Sequence, residues 1–167
     1  MLPENLEKIF CALNAAEARY LVVGGMAVMA HGFVRMTRDL DLVVALDGAN
    51  PKRVLKALGS LGYRPKVPVA LMDFANPEKR AEWVAEKGMQ VFQVVSDDLM
   101  DCPVDLFVEE PIPFAEMYAG RKEFSFSDGL SIPVVGLPQL KRLKAIAGRP
   151  RDLLDLEELS RIENDHE

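Results

Sequence analysis

Asp39 and Asp41 stand two residues apart in the run Thr37-Arg38-Asp39-Leu40-Asp41-Leu42-Val43-Val44, which otherwise reads as a buried strand. Side chains alternate across a strand, so both carboxylates point to one face. Two acids on one face of an apolar strand repel each other and are costly to bury unpaired. A divalent cation resolves that conflict. Just upstream, the apolar run Tyr20-Leu21-Val22-Val23 breaks at Gly24-Gly25 and leads into a short helical stretch. Glycine lets backbone approach a ligand, and the N-terminus of the next helix attracts anions, so phosphates would rest there. Together these features suggest a site for a metal-bound phosphate ligand.

A third acid, Asp105, interrupts Val104-Asp105-Leu106-Phe107-Val108 in the same way. If its strand neighbours that of Asp39 and Asp41, three carboxylates converge. Hard oxygen ligands suit Mg²⁺, which takes one or two carboxylates plus water and substrate phosphates. Two such ions about 3.5–4 Å apart clamp the attacking and leaving oxygens of an in-line phosphoryl displacement. Asp39 and Asp41 would hold the metal on the triphosphate. Asp105 would complete a second site and act as general base on an acceptor hydroxyl. Acids in apolar strands also occur on solvent-facing sides. Their combination with Gly24-Gly25 weighs against that explanation for the set.

These residues need elements to hold them. Residues 4–18 carry helical periodicity through Leu6, Ile9, Phe10 and Leu13. Tyr20–Val23 reads as a strand, Met26–His31 as a short helix and Arg35–Ala45 as a longer strand. Pro51 suits the first turn of a helix running to about Leu61, which Gly62 ends. Pro65 and Pro68 interrupt any regular element over 64–73. Asn76 reads as an N-cap and Pro77 as the first residue of a helix that runs to Lys87 and stops at Gly88. Met89–Val95 and Val104–Val108 read as strands, and Phe114–Tyr118 as a small helix. Lys122–Phe126 and Leu130–Val134 flank Ser127-Asp128-Gly129 as a hairpin. Helices over Pro138–Ala147 and Pro150–Ile162, parted by Gly148, close the chain. This mixture indicates α/β or α+β architecture: a short mixed β-sheet flanked by helices, with C-terminal helices beyond it. No internal repeat or low-complexity segment occurs. There is no strand-to-helix GxGxxG and no GxxxxGK, so dinucleotide-binding and P-loop readings lack their phosphate loops.

At 167 residues the chain is expected to form a single domain. Its core spans about 1–110, and the hairpin and C-terminal helices about 111–167. The composition, 49% hydrophobic and 28% charged, is that of an ordinary globular protein. A net charge of −6 argues against a large nucleic-acid-coating surface, though not against a local basic cleft. Only two cysteines, Cys11 and Cys102, and two histidines, His31 and His166, are present. A disulfide framework, a cysteine-rich zinc site and a histidine-based metal site are therefore not expected. The start, Met-Leu-Pro-Glu-Asn, lacks a signal-peptide pattern, and no apolar stretch spans a bilayer. A cytoplasmic location without membrane contact is the expectation.

Gly24-Gly25, the Asp-x-Asp pair and the later lone Asp105 resemble the nucleotidyltransferase superfamily with the DNA-polymerase-β-like core. The resemblance is strongest to small bacterial stand-alone members and to the nucleotidyltransferase domain of the abortive-infection toxin AbiEii, which implies a toxin–antitoxin setting. Those proteins carry a similar Gly-Gly-x-Ala-x-x-x-x-Gly-x-x-Arg-x-Thr-x-Asp-x-Asp block. Here it reads Gly24-Gly25-Met26-Ala27, His31-Gly32, Arg35, Thr37, Asp39, Asp41. Lys144, Arg149, Asp152 and Asp155 fall in a similar Lys-x-x-Ala-x-Arg-x-x-Asp-x-x-Asp arrangement. The resemblance covers most of the chain and is weakest over 64–95. It implies an NTP- and Mg²⁺-dependent (or Mn²⁺-dependent) enzyme that moves an NMP to an acceptor hydroxyl and releases pyrophosphate. By the same analogy Asp39, Asp41 and Asp105 are the metal carboxylates. Thr37 and Arg38 would lie near the nucleotide, and Lys144 would reach its phosphates.

Simpler roles compete for the supporting residues. Lys141 and Lys144 suit a solvated face. Asp152 suits a helix start, and Asp155 can pair with Arg149 or Arg151 one turn back. Asp97, Asp98 and Asp101 read as a solvated turn. Trp83, near Arg80 and Lys87, reads as a packing residue. His31 reads as structural, and Cys102 as a small buried hydrophobe. The acceptor stays open between tRNA, protein and a small hydroxylated molecule. A non-catalytic nucleotide-binding or interaction module is the alternative, since fold alone does not establish activity. A homodimer or partner chain would complete the cleft in a third reading. Residues 64–88 are expected to border the acceptor side.

Overall fold

Seven short strands form one mixed sheet in the order Arg64–Pro65, Val91–Val95, Val104–Phe107, Leu40–Val44, Tyr20–Val22, Leu130–Val134, Lys122–Ser127. In this computed structural model residues 1–165 are described, with side chains as far as Ile162; His166 lies outside them. The first helix, α1 (Pro3–Ala15), begins at a proline and buries Leu6, Ile9, Phe10 and Leu13 along one face. Then come β1 (Tyr20–Val22), α2 (Gly24–Ala30) and β2 (Leu40–Val44). β2 runs antiparallel to β1, pairing Val22 with Leu42. It runs parallel to β5 (Val104–Phe107), pairing Asp41 with Asp105. The neighbourhood on which the three-acid site depends is therefore present.

The strand expected over Arg35–Ala45 is shorter than its pattern. Residues 33–39 are irregular, and regular pairing starts at Leu40. Tertiary contacts replace the sheet there: Arg35 pairs with Asp155, and Arg151 donates to the Met36 carbonyl at 2.8 Å. α2 begins at Gly24, two residues before its expected start, and Gly24 itself takes the left-handed conformation (φ 62°).

Helix α3 (Asn50–Ser60) has proline in its first turn, as expected. The proline-interrupted stretch forms β3 (Arg64–Pro65) at the sheet edge, followed by a 3₁₀ turn over Leu71–Ala75 that packs on α3. Helix α4 (Pro77–Lys87) is capped as its sequence indicates. The Asn76 side chain accepts from the amides of Glu78 and Lys79, and Gly88 closes the helix at φ 59°. Trp83 is a packing residue, stacked on Phe92 of β4 (Val91–Val95) at 5.2 Å between ring centroids. After β5 come α5 (Phe114–Ala119) and the hairpin of β6 (Lys122–Ser127) and β7 (Leu130–Val134). Val134 pairs in parallel with Val22, so the hairpin joins the sheet of the core. Helices α6 (Leu137–Ala147) and α7 (Pro150–Asp165) close the fold, with α6 packed on α2 and α7.

His31 is structural: its Nε2 lies 2.8 Å from the Val135 carbonyl. Cys102 is wholly buried. The acidic loop is more than a solvated turn. Asp97 pairs with Arg64, while Asp101 accepts from the Leu2 amide and from Asn5, tying down the N-terminus. Among the described residues no helix is long and apolar enough to cross a membrane.

Candidate active site

Leu40 and Leu42 are wholly buried, whereas Asp39 and Asp41 between and beside them are only partly so. This is the alternation their spacing implies, although Asp39 precedes the paired part of β2. Asp105 lies beside Asp41 in register, so both carboxylates share one sheet face. The two glycines make room for this arrangement. A Cβ on Gly24 would fall 2.0 Å from Asp41 Oδ2, and one on Gly25 would fall 2.7 Å from Thr37 Oγ1. Gly24 also has positive φ, so no other residue fits without strain. The glycines thus admit Asp41 and Thr37, a role that their spacing alone did not reveal. Thr37 Oγ1 donates to the Asp39 carbonyl at 3.2 Å and fixes the approach to β2.

Electrostatics set this face apart. The Asp41 carboxyl is pushed up to about 7, first by burial and then by Asp105 and Asp39; Lys144 and the Gly25 amide only partly offset this. Asp105 is also held above its ordinary value by burial, against a hydrogen bond from Gln93. Gln93 was not among the expected site residues. Its signal was a polar residue inside the apolar run Val91-Phe92-Gln93-Val94-Val95.

Lys144 departs from the solvated-face role that its spacing from Lys141 suggests. It is 5% exposed, so it belongs to no solvated face. Its Nζ lies 3.0 Å from Asp152 Oδ1 and 2.8 Å from Asp155 Oδ2, both nearly buried residues. Asp152 does more than favour a helix start. Burial alone would raise its carboxyl, but Arg149 and Lys144 hold it below the ordinary value. Asp155 pairs with Arg35 and Lys144 rather than with Arg149 or Arg151. It points toward α6, while Asp152 takes Arg149 at 2.7 Å. Lys144 still acts electrostatically on Asp41. Gly24, Gly25, Thr37, Asp39, Asp41, Asp105 and Lys144 are thus gathered at one place, while Arg38 is exposed on the loop beside it.

A cavity of about 480 Å³ opens beside this cluster. Gly24 and Lys144 line its end nearest the acids. Phe107, two residues along β5 from Asp105, and Leu140 and Leu143 of α6 give it an apolar lining, with Glu109 and Glu110 also part of the wall. Of residues 64–88, only Val84 and Gly88 reach it.

Among the described residues no group of three or more His, Cys, Asp or Glu side chains is arranged to hold an ion by itself. The donor chemistry nevertheless fits Mg²⁺ shared with a nucleotide, because that ion takes one or two carboxylates and completes its shell from water and phosphate. Burial first, and Asp105 and Asp39 after it, hold the Asp41 carboxyl up, and Lys144 offsets this only in part.

The chain has the nucleotidyltransferase fold. It is similar to the crystal structure of the lincosamide antibiotic adenylyltransferase LnuA with lincomycin bound, at TM-score 0.59 and 16% identity over 95% of this chain and 96% of that one. It is also similar to the solution structure of the antibiotic-resistance factor ANT(2'')-Ia, at TM-score 0.58 and 17% identity, covering 96% and 80% of the two chains. The crystal structure of ANT(2'')-Ia with adenylyl-2''-tobramycin matches at TM-score 0.54 and 15% identity, covering 96% and 92%. No protein-family model and no curated protein matches the chain. None of these three structures is named as an AbiEii-type toxin, so that finer resemblance gains no support from them.

Proposed function

We propose that this chain is a metal-dependent nucleotidyltransferase that moves an NMP from an NTP to a hydroxyl of a small molecule and releases pyrophosphate. The observation that carries this reading is the in-register pairing of Asp41 with Asp105 on one sheet face, with Asp39 close enough to raise the Asp41 carboxyl. Asp39 and Asp41 would hold Mg²⁺ or Mn²⁺, with Asp105 completing the set. The metal, when bound, supplies charge neutralisation on the phosphates and on the leaving pyrophosphate. Thr37 and Arg38 sit on the loop leading into the acids, where the nucleotide would approach, and Gly24 lies against Asp41 and Gly25 against Thr37. Asp105 would accept the proton of the acceptor hydroxyl, a role favoured by a carboxyl whose affinity for protons is already raised. Lys144 would supply positive potential from a fixed, paired position rather than as a mobile arm.

The cavity supports a small acceptor. Its lining of Phe107, Leu140 and Leu143 offers apolar contact, with Glu109, Glu110, Lys144 and Arg149 as charged groups in the same wall, and its volume of about 480 Å³ suits a small molecule. The structures of LnuA with lincomycin and of ANT(2'')-Ia with adenylyl-2''-tobramycin hold small molecules of this kind. One observation favours the non-catalytic alternative: the lysine expected on the phosphates is engaged by two buried carboxylates. Both readings meet in one experiment. The chain is incubated with each NTP and Mg²⁺, alone and with a panel of hydroxylated small molecules, and pyrophosphate is followed. Metal-dependent release, stimulated by an acceptor that gains the mass of an NMP, is the expected result. NTP binding without release under any condition would replace the enzyme with a nucleotide-binding module.

A further inference from the structure

The sheet carries a polar row at the level of the acids. Asp41 pairs with Asp105, and Asp105 with Gln93 of β4. Lys66, one residue past β3, continues the row: its amide donates to the Gln93 carbonyl at 3.0 Å. The side chains follow the same order. Gln93 Nε2 donates to Asp105 Oδ1 at 2.8 Å, and Lys66 Nζ donates to Gln93 Oε1 at 2.7 Å.

A glutamine amide has a donor end and an acceptor end of nearly equal shape, so its neighbours decide which way it turns. Lysine has three donors and no acceptor. The ammonium therefore commits the oxygen end of Gln93 to itself and the amino end to Asp105. Asp105 Oδ1 is then held by the protein, and among the described residues Oδ2 has no protein donor. A neutral amide also keeps the lysine one residue away. An ammonium placed directly on Asp105 would compete with any cation there.

We infer that Lys66 and Gln93 are positioning residues: they fix the Asp105 carboxylate so that one defined oxygen is presented to the acceptor. This rests on the reading of Asp105 as a reacting carboxylate. The test measures pyrophosphate release from ATP and Mg²⁺ with water as acceptor. Oxygen of water bonds to the α-phosphorus, the α–β bridge breaks, AMP and pyrophosphate leave, and the water proton passes to Asp105. Gln93→Leu should lower kcat about tenfold or more with KM for ATP unchanged, the loss of one hydrogen bond to a charged group. Lys66→Glu can only accept from the amide, so it should turn Gln93 round and cost more than Lys66→Met. Lys66→Arg keeps a donor and should restore turnover. Lys66 is exposed, so its variants should melt with the wild type. Unchanged kcat in Gln93→Leu and Lys66→Glu would overturn the inference. A second measurement separates it from the reading it rests on. In ¹⁵N-labelled protein without nucleotide, the Gln93 side-chain amide protons should exchange slowly, lose that protection in Asp105→Ala, and change chemical shift in Lys66→Glu, where they turn to the new carboxylate. If the wild type releases no pyrophosphate with water or with any acceptor of the panel, the enzymatic reading falls, while the side-chain amide measurement still decides the positioning. An amide indifferent to both substitutions overturns the positioning whatever the activity.

Discussion

Two clusters of partly or wholly buried charge lie within electrostatic reach of each other, and they are built on opposite terms. On the sheet face, Asp39, Asp41 and Asp105 meet one glutamine amide and one backbone amide, and the Asp41 carboxyl is pushed up to about 7. Between α6 and α7, Asp152 and Asp155 are buried at least as deeply, yet Lys144 pairs with both, Arg149 with Asp152 and Arg35 with Asp155. There the Asp152 carboxyl falls below its ordinary value. Burial is common to the two clusters and compensation is not. A compensated cluster ties helices together. An uncompensated one would favour a cation from outside the chain, as proposed for Asp39, Asp41 and Asp105.

The largest effect should come from breaking the uncompensated cluster. Asp41→Asn removes a charge that the fold tolerates poorly, so the variant should melt no lower than the wild type. It should still lose metal-dependent pyrophosphate release by about a thousandfold, the scale of removing a principal electrostatic contact in phosphoryl transfer. Loss of folding instead would mean that Asp41 is structural. The compensated cluster should answer the other way. Lys144→Met leaves two carboxylates buried without their shared cation and should cost about 3 kcal/mol or more of stability, read by urea unfolding. A cost within experimental error would make Lys144 dispensable to the architecture.

Acidity distinguishes the clusters more gently. The Asp41 carboxyl sits at about 7 in the fold against an ordinary 3.8. A raised value means that the folded chain holds a proton the unfolded chain has released. Its contribution is therefore complete below 3.8 and is lost as pH climbs through about 7. Metal-free protein should lose stability over that range, Asp41→Asn should lose less, and Mg²⁺ with nucleotide should recover stability at the alkaline end. The smallest effect belongs outside both clusters. Asn76→Ala removes the cap of α4 at a cost of about 1 kcal/mol, with metal affinity unchanged.

What could be read from the sequence follows how local each feature is. The cap at Asn76, the stop at Gly88 and the turn at Asp128-Gly129 are decided by a few neighbouring residues, and each stands where its pattern puts it. Asp39, Asp41, Asp105 and Gly24-Gly25 were legible as residues because charge and glycine interrupt apolar strands. The pairing of β2 with β5, which turns them into a site, joins segments some sixty residues apart, and no local rule dictates it. The same holds for Arg35. Its pattern reads as strand, but a partner on α7 draws it out of the sheet. Lys144 and Lys141, one turn apart, suit a solvated face; only the packing of α6 against α7 reveals the depth of Lys144. The glycines carry the clearest lesson. Their pattern reads as space for a ligand, and their missing side chains also make room for Asp41 and Thr37.

The central claim is that the three acids take a divalent cation together with a nucleotide. Calorimetric titration of Mn²⁺ into the chain, with a non-hydrolysable ATP analogue present, tests it most directly, on wild type and Asp41→Asn in two buffers near pH 7. Once the heat of Mn²⁺ binding to the free analogue is subtracted, the expected result is binding by the wild type, with a heat that differs between the buffers by their ionisation enthalpies because protons are released, and no binding by the folded variant. Equal binding by both proteins, or none by either, would contradict it.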